Sequence, residues 1–284
     1  MMRELEAAFE ITSDDVATIA AAIGSEMQKG LEEDGQALKM IPSFVEQLPS
    51  GDETGDVFAI DLGGTNLRCL RVSLLGGRKI GKVDQRSTAI PQSVMKGHGH
   101  ELFDCIAQEF VRFVSDLCGD DCTTIQRFVS FTFSFPVTQT ALDNGRLICW
   151  TKGFDAAGVV GEDVVACLND AFGRMDTAVR CSALINDTVG TLCSLHYEQD
   201  CQMGIILGTG TNACYIERVD NISKLKTGAT YANCQINGNV MVINTEWGAF
   251  DGDRAVLRYN EYVTVGVSDV TMCVINVLYA GMIL

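Results

Sequence analysis

Three observations in the sequence predict an α/β fold. Short apolar runs alternate along the chain with longer segments whose apolar residues recur at helical spacing. The chain has 284 residues, which is enough for two domains. A strand, Gly-Thr-Asn and strand unit occurs at 64–66 and again at 210–212, which suggests two related lobes that present glycine turns to one ligand. Coincidence between two hairpins is the alternative, because the repeated core is only three residues.

The first half of the chain is predicted to contain two helices and three strands. Ser13 and the two acids after it mark the start of an amphipathic helix that extends to about Gly35. Two prolines then keep the segment LKMIPSFVEQLPSG extended, as a connector into the first strand. The elements that follow are strands over 57–60 and 67–75, a helix over 101–118 and a strand over 128–133.

The second half continues the alternation of helices and strands. A helix is predicted over 161–172, and a buried strand over 179–185 stops at Asn186 and Asp187. A helix over 188–197 and strands over 203–207 and 213–217 complete the pattern. Both glycine turns join strand to strand, whereas Walker and dinucleotide loops open a helix, so neither of those templates fits.

Composition and charge exclude several classes of protein. A formal net charge of −16 opposes nucleic acid and anionic membranes as partners, so a phosphate site must be built locally from backbone amides, Mg²⁺ and a few cations. The 12 cysteines show no CxxC spacing and are predicted to be free, buried thiols in a reducing compartment. The three histidines predict no metal site, and the first 15 residues resemble no targeting signal, which makes the cytoplasm the expected location.

Seven segments of the chain resemble the hexokinase family, in the family's order. They are LKMIPSFVEQLPSG, FAIDLGGTNLR, FTFSFPVTQ, WTKGF with GEDVV, INDTVGTL, ILGTGTNACY and INTEWGAF. The resemblance implies the duplicated actin-like, ribonuclease H-like ATPase fold, in which two lobes close over nucleotide. It also implies ATP- and Mg²⁺-dependent phosphorylation of the 6-hydroxyl of glucose or a related hexose, the first step of glycolysis.

The resemblance also implies a domain division and two phosphate loops. Residues 1–50 form an N-terminal helix and connector, 51–186 the small lobe and 187–262 the start of the large lobe. The first phosphate loop comprises Asp61, Gly63, Gly64, Thr65, Asn66 and Arg68, and the second Gly208, Thr209, Gly210 and Thr211. No residue is expected to bind metal directly, although Asp61 is a candidate for orienting Mg²⁺ through water. From local sequence alone, Asp61 instead caps the turn and Arg68 is a solvated strand residue.

Two interpretations of Asp187 compete. From local sequence it fits the N-cap of the following helix, because aspartate is favoured there. In the hexokinase pattern the matching aspartate takes the proton from the sugar 6-hydroxyl, so the resemblance favours Asp187 as the general base. The resemblance further implies a sugar site that consists of Ser134, Thr151, Lys152, Asn186, Asp187, Asn212 and Glu246. Each of these, taken alone, is equally well a turn or surface residue.

The resemblance stops at about Tyr262. Residues 263–284 form a divergent tail, in which no second sugar-binding glutamate and no adenosine site is recognisable. We therefore expect a truncated or aberrant C-terminus and an incomplete large lobe that leaves apolar surface exposed. The alternative function is a catalytically impaired, sugar-binding or regulatory hexokinase-like protein or a truncated gene product. No membrane span is expected, because the uncharged end of the tail is too short.

Overall fold

The computed structural model describes residues 12–63, 66–119, 125–207 and 211–251. Its strands, in chain order, are β1 (Ile41–Pro42), β2 (Thr54–Gly63), β3 (Asn66–Leu75), β4 (Ile80–Ala89), β5 (Arg127–Phe133), β6 (Val137–Ala141), β7 (Asn144–Leu147), β8 (Val179–Ile185), β9 (Met203–Leu207), β10 (Thr211–Arg218) and β11 (Val240–Asn244). Its α-helices are α1 (Ser13–Glu32), α2 (Gln92–Met95), α3 (Gly99–Cys118), α4 (Val164–Arg174), α5 (Asp187–Glu198) and α6 (Lys224–Thr227). Short 3₁₀ helices lie at Val219–Asn221, Ala229–Tyr231 and Trp247–Ala249.

A five-stranded mixed sheet forms the first unit, in the order β4-β3-β2-β5-β8. Strands β2, β3 and β4 are antiparallel neighbours, whereas β2, β5 and β8 run parallel. Helices α3 and α4 cover one face and bury a core in which Phe110 packs edge-on against both Phe58 and Phe172. Because the parallel strands end together, their carboxyl ends form one edge of the sheet.

A second sheet has the order β1-β11-β10-β9. Its edge strand β1 comes from the connector after α1, so Ile41 lies opposite Asn244. Helix α1 and the segment after it pack against the sheet through Ile19, Leu31 and Met40. Helix α5 packs on the sheet as well, through Val189 and Leu192.

Several elements differ from the sequence-based predictions. Helix α1 is capped by Thr12, whose hydroxyl accepts a hydrogen bond from the Asp15 amide, and it ends at Glu32 rather than near Gly35. Strands β1, β4, β6, β7 and β11 were not predicted. In β4, charged and polar residues occupy most positions because much of this strand is exposed, so the apolar run that would mark a strand is missing.

The face of the first sheet opposite α3 is apolar and open. Val57 and Val83 are 46% and 54% exposed there, and they line a cleft of about 1500 Å³ that extends to α5. None of the helices in the described ranges is long and apolar enough to cross a membrane. Every cysteine in the described ranges is free, but Cys118 and Cys149 are exposed, so the prediction of buried thiols is wrong for these two.

Candidate functional site

Three of the predicted site residues lie at the carboxyl edge of the first sheet. Leu62 is paired with Phe133, and Thr132 is paired with Ile185. Gly63 and Ser134 directly follow the first pair, and Asp187 lies two residues after Ile185. The Ser134 amide donates to the Leu62 carbonyl at 3.2 Å, which holds these two strand ends together. The parallel register thus places one residue from each of three predicted motifs at one edge, where ligands of open α/β sheets bind.

Asp61 lies two residues before the end of β2 and faces the large cleft. Its Oδ2 accepts a hydrogen bond from Arg68 Nη1 at 3.1 Å, and the two residues are direct cross-strand partners. Burial raises the pKa of Asp61, and the charge of Asp187 raises it further, while Arg68 and Lys152 act in the opposite direction. Asp61, Arg68, Lys152 and Asp187 therefore share one electrostatic environment.

Asn186, and not Asp187, is the N-cap of helix α5. Its Oδ1 accepts from the Thr188 amide at 2.9 Å and from the Thr188 hydroxyl at 2.6 Å. Asp187 is the first helical residue, and its Oδ1 also accepts from the Thr188 amide, at 2.9 Å. The interpretation of Asp187 as the helix cap is therefore wrong. Its carboxylate instead lines the cleft that Asp61 also lines, and it belongs to none of the ion pairs among the described residues.

Thr151 and Lys152 lie on an exposed loop that is anchored by aromatic rings. The ring of Trp150, just before them, packs against Phe133, Phe135 and Phe154. Lys152 has a left-handed backbone with φ +55°, and its Nζ lies 5.7 Å from the centre of the Phe135 ring. Since Phe135 follows Ser134 directly, this cluster keeps the loop close to the strand edge that carries Ser134.

The second sheet contributes Asn212 on β10 and Glu246, two residues after β11. Asn212 Nδ2 donates to Glu246 Oε1 at 3.2 Å and to Asn244 Oδ1 at 2.9 Å. Asn244 Nδ2 donates to the same Glu246 oxygen at 2.8 Å. Trp247 Nε1 donates to the Thr211 hydroxyl at 3.1 Å, which joins the predicted second phosphate loop to the same turn.

The two sheets meet at Asn186. A small cavity is lined from the first sheet by Phe135 and Asn186, and from the second by Asn244 and Glu246. Of the predicted sugar-site residues, the structure thus brings Asn186 and Glu246 to one cavity, although they are far apart in sequence, whereas Ser134, Thr151, Lys152, Asp187 and Asn212 do not line it.

The predicted phosphate turns are described only in part. Gly64, Thr65, Gly208, Thr209 and Gly210 lie outside the described residues. The pairing ends with Gly63 opposite Asn66 in one hairpin and with Leu207 opposite Thr211 in the other. Both turns thus join antiparallel strands as predicted, but the first connection has two residues and the second has three. Asn66 and Arg68 are exposed on β3, and Thr211 is buried.

Asn244 is a site residue that the sequence analysis missed. It belongs to the quoted INTEWGAF segment, but only Glu246 of that segment was assigned a role. A signal was available, because Asn244 precedes Thr and Glu at the end of an apolar run, much as Asn186 ends the run before Asp187.

Two hairpin-bearing sheets that meet at a cleft, with carboxylates at the strand ends, define an α/β protein of the actin-like ATPase fold. The family models described as Hexokinase match residues 1–197 and 202–262. The chain belongs to the hexokinase family.

Relatives and solved structures agree with this assignment. The chain is 49% identical to Hexokinase-4, chloroplastic, of Oryza sativa subsp. japonica, over 85% of this chain and 47% of that protein. It is 46% identical to Hexokinase-1 of Arabidopsis thaliana, over 82% of this chain and 47% of that protein. It therefore spans about half the length of the curated relatives it matches. The hexokinase from Schistosoma mansoni complexed with glucose matches with a TM-score of 0.77 and 33% identity, over 99% of this chain and 66% of that one.

Proposed function

We propose that this chain carries the sugar site and the catalytic base of a hexokinase, which transfers a phosphoryl group from ATP to the 6-hydroxyl of glucose or a related hexose. One observation carries the proposal: Asp187 lines a cleft with Asp61, next to a cavity lined by the amides of Asn186 and Asn244 and by the carboxylate of Glu246. Family membership and the similarity to the Schistosoma mansoni hexokinase complexed with glucose support it.

Asp187 is the proposed general base. Its carboxylate stands at the first position of α5, where the Thr188 amide fixes one oxygen at 2.9 Å. The other oxygen is then directed to accept the proton of the 6-hydroxyl as that hydroxyl oxygen attacks the phosphorus. The proton passes to the aspartate, and the bond from phosphorus to the leaving oxygen breaks.

The remaining polar groups are proposed to bind the other sugar hydroxyls. Asn212 and Glu246 provide donors and acceptors whose directions are set by the hydrogen bond between them, and Asn186 provides an amide whose Oδ1 accepts from the Thr188 amide. Ser134, Thr151 and Lys152 provide the opposite side of the site. A sugar that touches both sheets would draw them together, and this closure would exclude water as a competing phosphoryl acceptor.

The residues near Asp61 fit ATP and Mg²⁺. When bound, ATP supplies the phosphoryl group and Mg²⁺ neutralises its charge. Asp61 offers a carboxylate that can accept hydrogen bonds from the waters of a hydrated Mg²⁺ ion, and Arg68 offers a forked cation for phosphate oxygens. The backbone amides of 63–66 and 208–211 remain the proposed phosphate contacts.

The domain division also remains a proposal. Strand β1 joins the second sheet, which supports grouping the N-terminal 50 residues with the large lobe rather than the small one. Helix α5 packs on the same sheet, which supports a boundary near residue 187.

The cytoplasm is the proposed location, and the localisation of a fluorescent fusion in plant cells tests it, because one relative carries the name chloroplastic.

The function is tested by glucose-dependent ADP formation with the purified full chain. We expect activity in the wild type and a fall of about 10²- to 10⁴-fold in kcat for Asp187→Ala, with glucose binding retained. Asp176→Ala, at an exposed turn, is the control and is expected to leave kcat unchanged. Glucose binding without turnover in the wild type would show a sugar-binding protein instead of an enzyme.

A further inference from the structure

We propose that Asn244 is a positioning residue of the sugar site, which sets the direction of the Glu246 carboxylate and of the Asn212 amide. This inference rests on the proposed function and deepens it. Asn244 forms hydrogen bonds with both residues. It is only 5% exposed, so little of its own side chain is available to contact a sugar.

The position of Asn244 in the sheet makes it a rigid support. It is the last residue of β11, and it is paired with Ile41 on one side and with Cys214 on the other. A side chain that starts from a backbone held on both sides has little freedom to move. Its amide therefore provides a fixed reference for groups that lie on less regular backbone.

The three side chains form a closed ring of hydrogen bonds. Asn244 Oδ1 accepts from Asn212 Nδ2, and Asn244 Nδ2 donates to Glu246 Oε1. The second Asn212 Nδ2 proton goes to the same carboxylate oxygen at 3.2 Å. Glu246 Oε1 thus receives two amide donors, and neither of them contacts Oε2. This leaves Oε2 in a defined direction, as recognition of a sugar hydroxyl requires.

The backbone of Glu246 supports the same conclusion. Its φ is +53°, in the left-handed region that glutamate seldom occupies, so the surrounding contacts must hold it there. Asn244 Oδ1 accepts from the Glu246 amide at 3.4 Å, and the Thr245 hydroxyl between them donates to the Ala213 carbonyl at 2.9 Å. Asn244 therefore contacts both the backbone and the carboxylate of the residue that it orients.

Calorimetric titration of the full chain with glucose tests the proposal. We expect Asn244→Ala to weaken binding by about 10- to 100-fold, because the carboxylate and the Asn212 amide lose their shared support. Asn244→Asp keeps the shape but places a carboxylate against Glu246 Oε1, and repulsion is expected to weaken binding at least as much. Asn169→Ala is the matched control, because Asn169 bridges the amide and carbonyl of Cys181 in the other sheet.

A panel of monodeoxy-glucoses separates positioning from a general loss of stability. The Glu246→Gln variant identifies the sugar hydroxyl that Glu246 recognises. Removing that hydroxyl from glucose weakens binding to the wild type but no longer weakens binding to the variant. In Asn244→Ala the penalty for deleting that same hydroxyl should shrink, while penalties at the other positions persist. A residue that only stabilises the fold would lower the melting temperature and leave the pattern of penalties unchanged.

The outcomes keep this inference distinct from the proposed function. If the wild type binds no glucose, the proposed function fails and this inference falls with it. If the wild type binds glucose and Asn244→Ala binds within twofold of it, the positioning role alone is overturned. It is also overturned if both Asn244 variants fail to fold while Asn169→Ala folds, because Asn244 would then be a structural residue.

Discussion

Asp61 and Arg68 are direct cross-strand partners on β2 and β3, and Arg68 Nη1 donates to Asp61 Oδ2 at 3.1 Å. The antiparallel register places both residues near the end of one hairpin, and Asp61 lines the cleft. Even with this partner, burial keeps the pKa of Asp61 above its usual value. The protein therefore holds a carboxylate at a place where its ionised form is penalised.

Asp61→Asn should raise the melting temperature near pH 7. Burial raises the folded-state pKa of Asp61 above the ordinary value of 3.8. The folded wild type is therefore less stable at pH values above the folded-state pKa, where Asp61 is ionised. The penalty vanishes below about pH 3.8, where the two proteins should converge. Thermal denaturation between pH 3 and pH 8 measures this difference.

Asp84→Asn provides the control of opposite sign. Hydrogen bonds from Lys82 and Arg71 lower the pKa of Asp84, so its contribution is present above the ordinary aspartate pKa and is lost as pH falls. This variant should be less stable than the wild type at pH 7. Equal melting temperatures for all three proteins at pH 7 would contradict the electrostatic assignment.

Gly204→Ala should destabilise the protein and impair the site. A Cβ at Gly204 would lie 2.7 Å from the Thr188 carbonyl and 3.0 Å from both the amide nitrogen and the Cβ of Leu192, so α5 would have to move away from β9. We expect a loss of about 1–3 kcal/mol in the free energy of unfolding. Because Asp187 begins α5, a lower kcat should accompany this loss.

Gly24→Ala is the matched control for this change. Gly24 lies inside α1, and a Cβ there would meet nothing within 4 Å. We expect a gain of about 0.5–1 kcal/mol, because alanine loses less backbone entropy than glycine in a helix. Urea denaturation of both variants gives the comparison, and a destabilised Gly24→Ala would show that exposed positions on α1 do not follow helix propensity.

Tyr197→Phe should loosen the contact between α5 and the far end of the first sheet. The Tyr197 hydroxyl reaches the Glu53 carbonyl at 3.1 Å and the Lys79 carbonyl at 3.2 Å, and the residue is buried. We expect a loss of about 0.5–1.5 kcal/mol in the free energy of unfolding, since the variant loses the hydroxyl donor while the Gly76 and Leu75 amides still donate to these carbonyls. Tyr215→Phe removes a hydrogen bond within one strand, to Glu217, and should cost less. Equal losses would argue against a special role for Tyr197.

Val83→Lys should reduce aggregation without lowering the melting temperature. Val83 is 54% exposed on the apolar face of the first sheet, where exposed apolar surface favours association. Light scattering and the fluorescence of a dye that binds apolar surface should both decrease. Val160→Lys is the control, because Val160 is 56% exposed but does not line this cleft. An equal effect of both variants would show that added charge alone is responsible.

Elements with a strong local pattern were predictable from the sequence. The strand Val179–Ile185 has the predicted bounds, and the predicted helix over 101–118 is Gly99–Cys118. Local periodicity sufficed there because each element buries one face or one run of apolar side chains. It did not suffice for β4, whose residues are mostly polar, or for the two-residue strand β1, which exists only through its pairing with β11.

The candidate site was also predictable only in part from the sequence. Glycine turns, the carboxylates at strand ends and the order of the motifs are properties of the sequence, and they were sufficient to indicate the family. The cap that Asn186 provides for α5 is a local contact with Thr188. The hydrogen bonds from Asn212 to Asn244 and Glu246, and the cavity that Phe135 shares with Glu246, join distant parts of the chain. Only the tertiary structure decides them, because sheet register and the packing of α5 determine which distant side chains come within hydrogen-bonding distance.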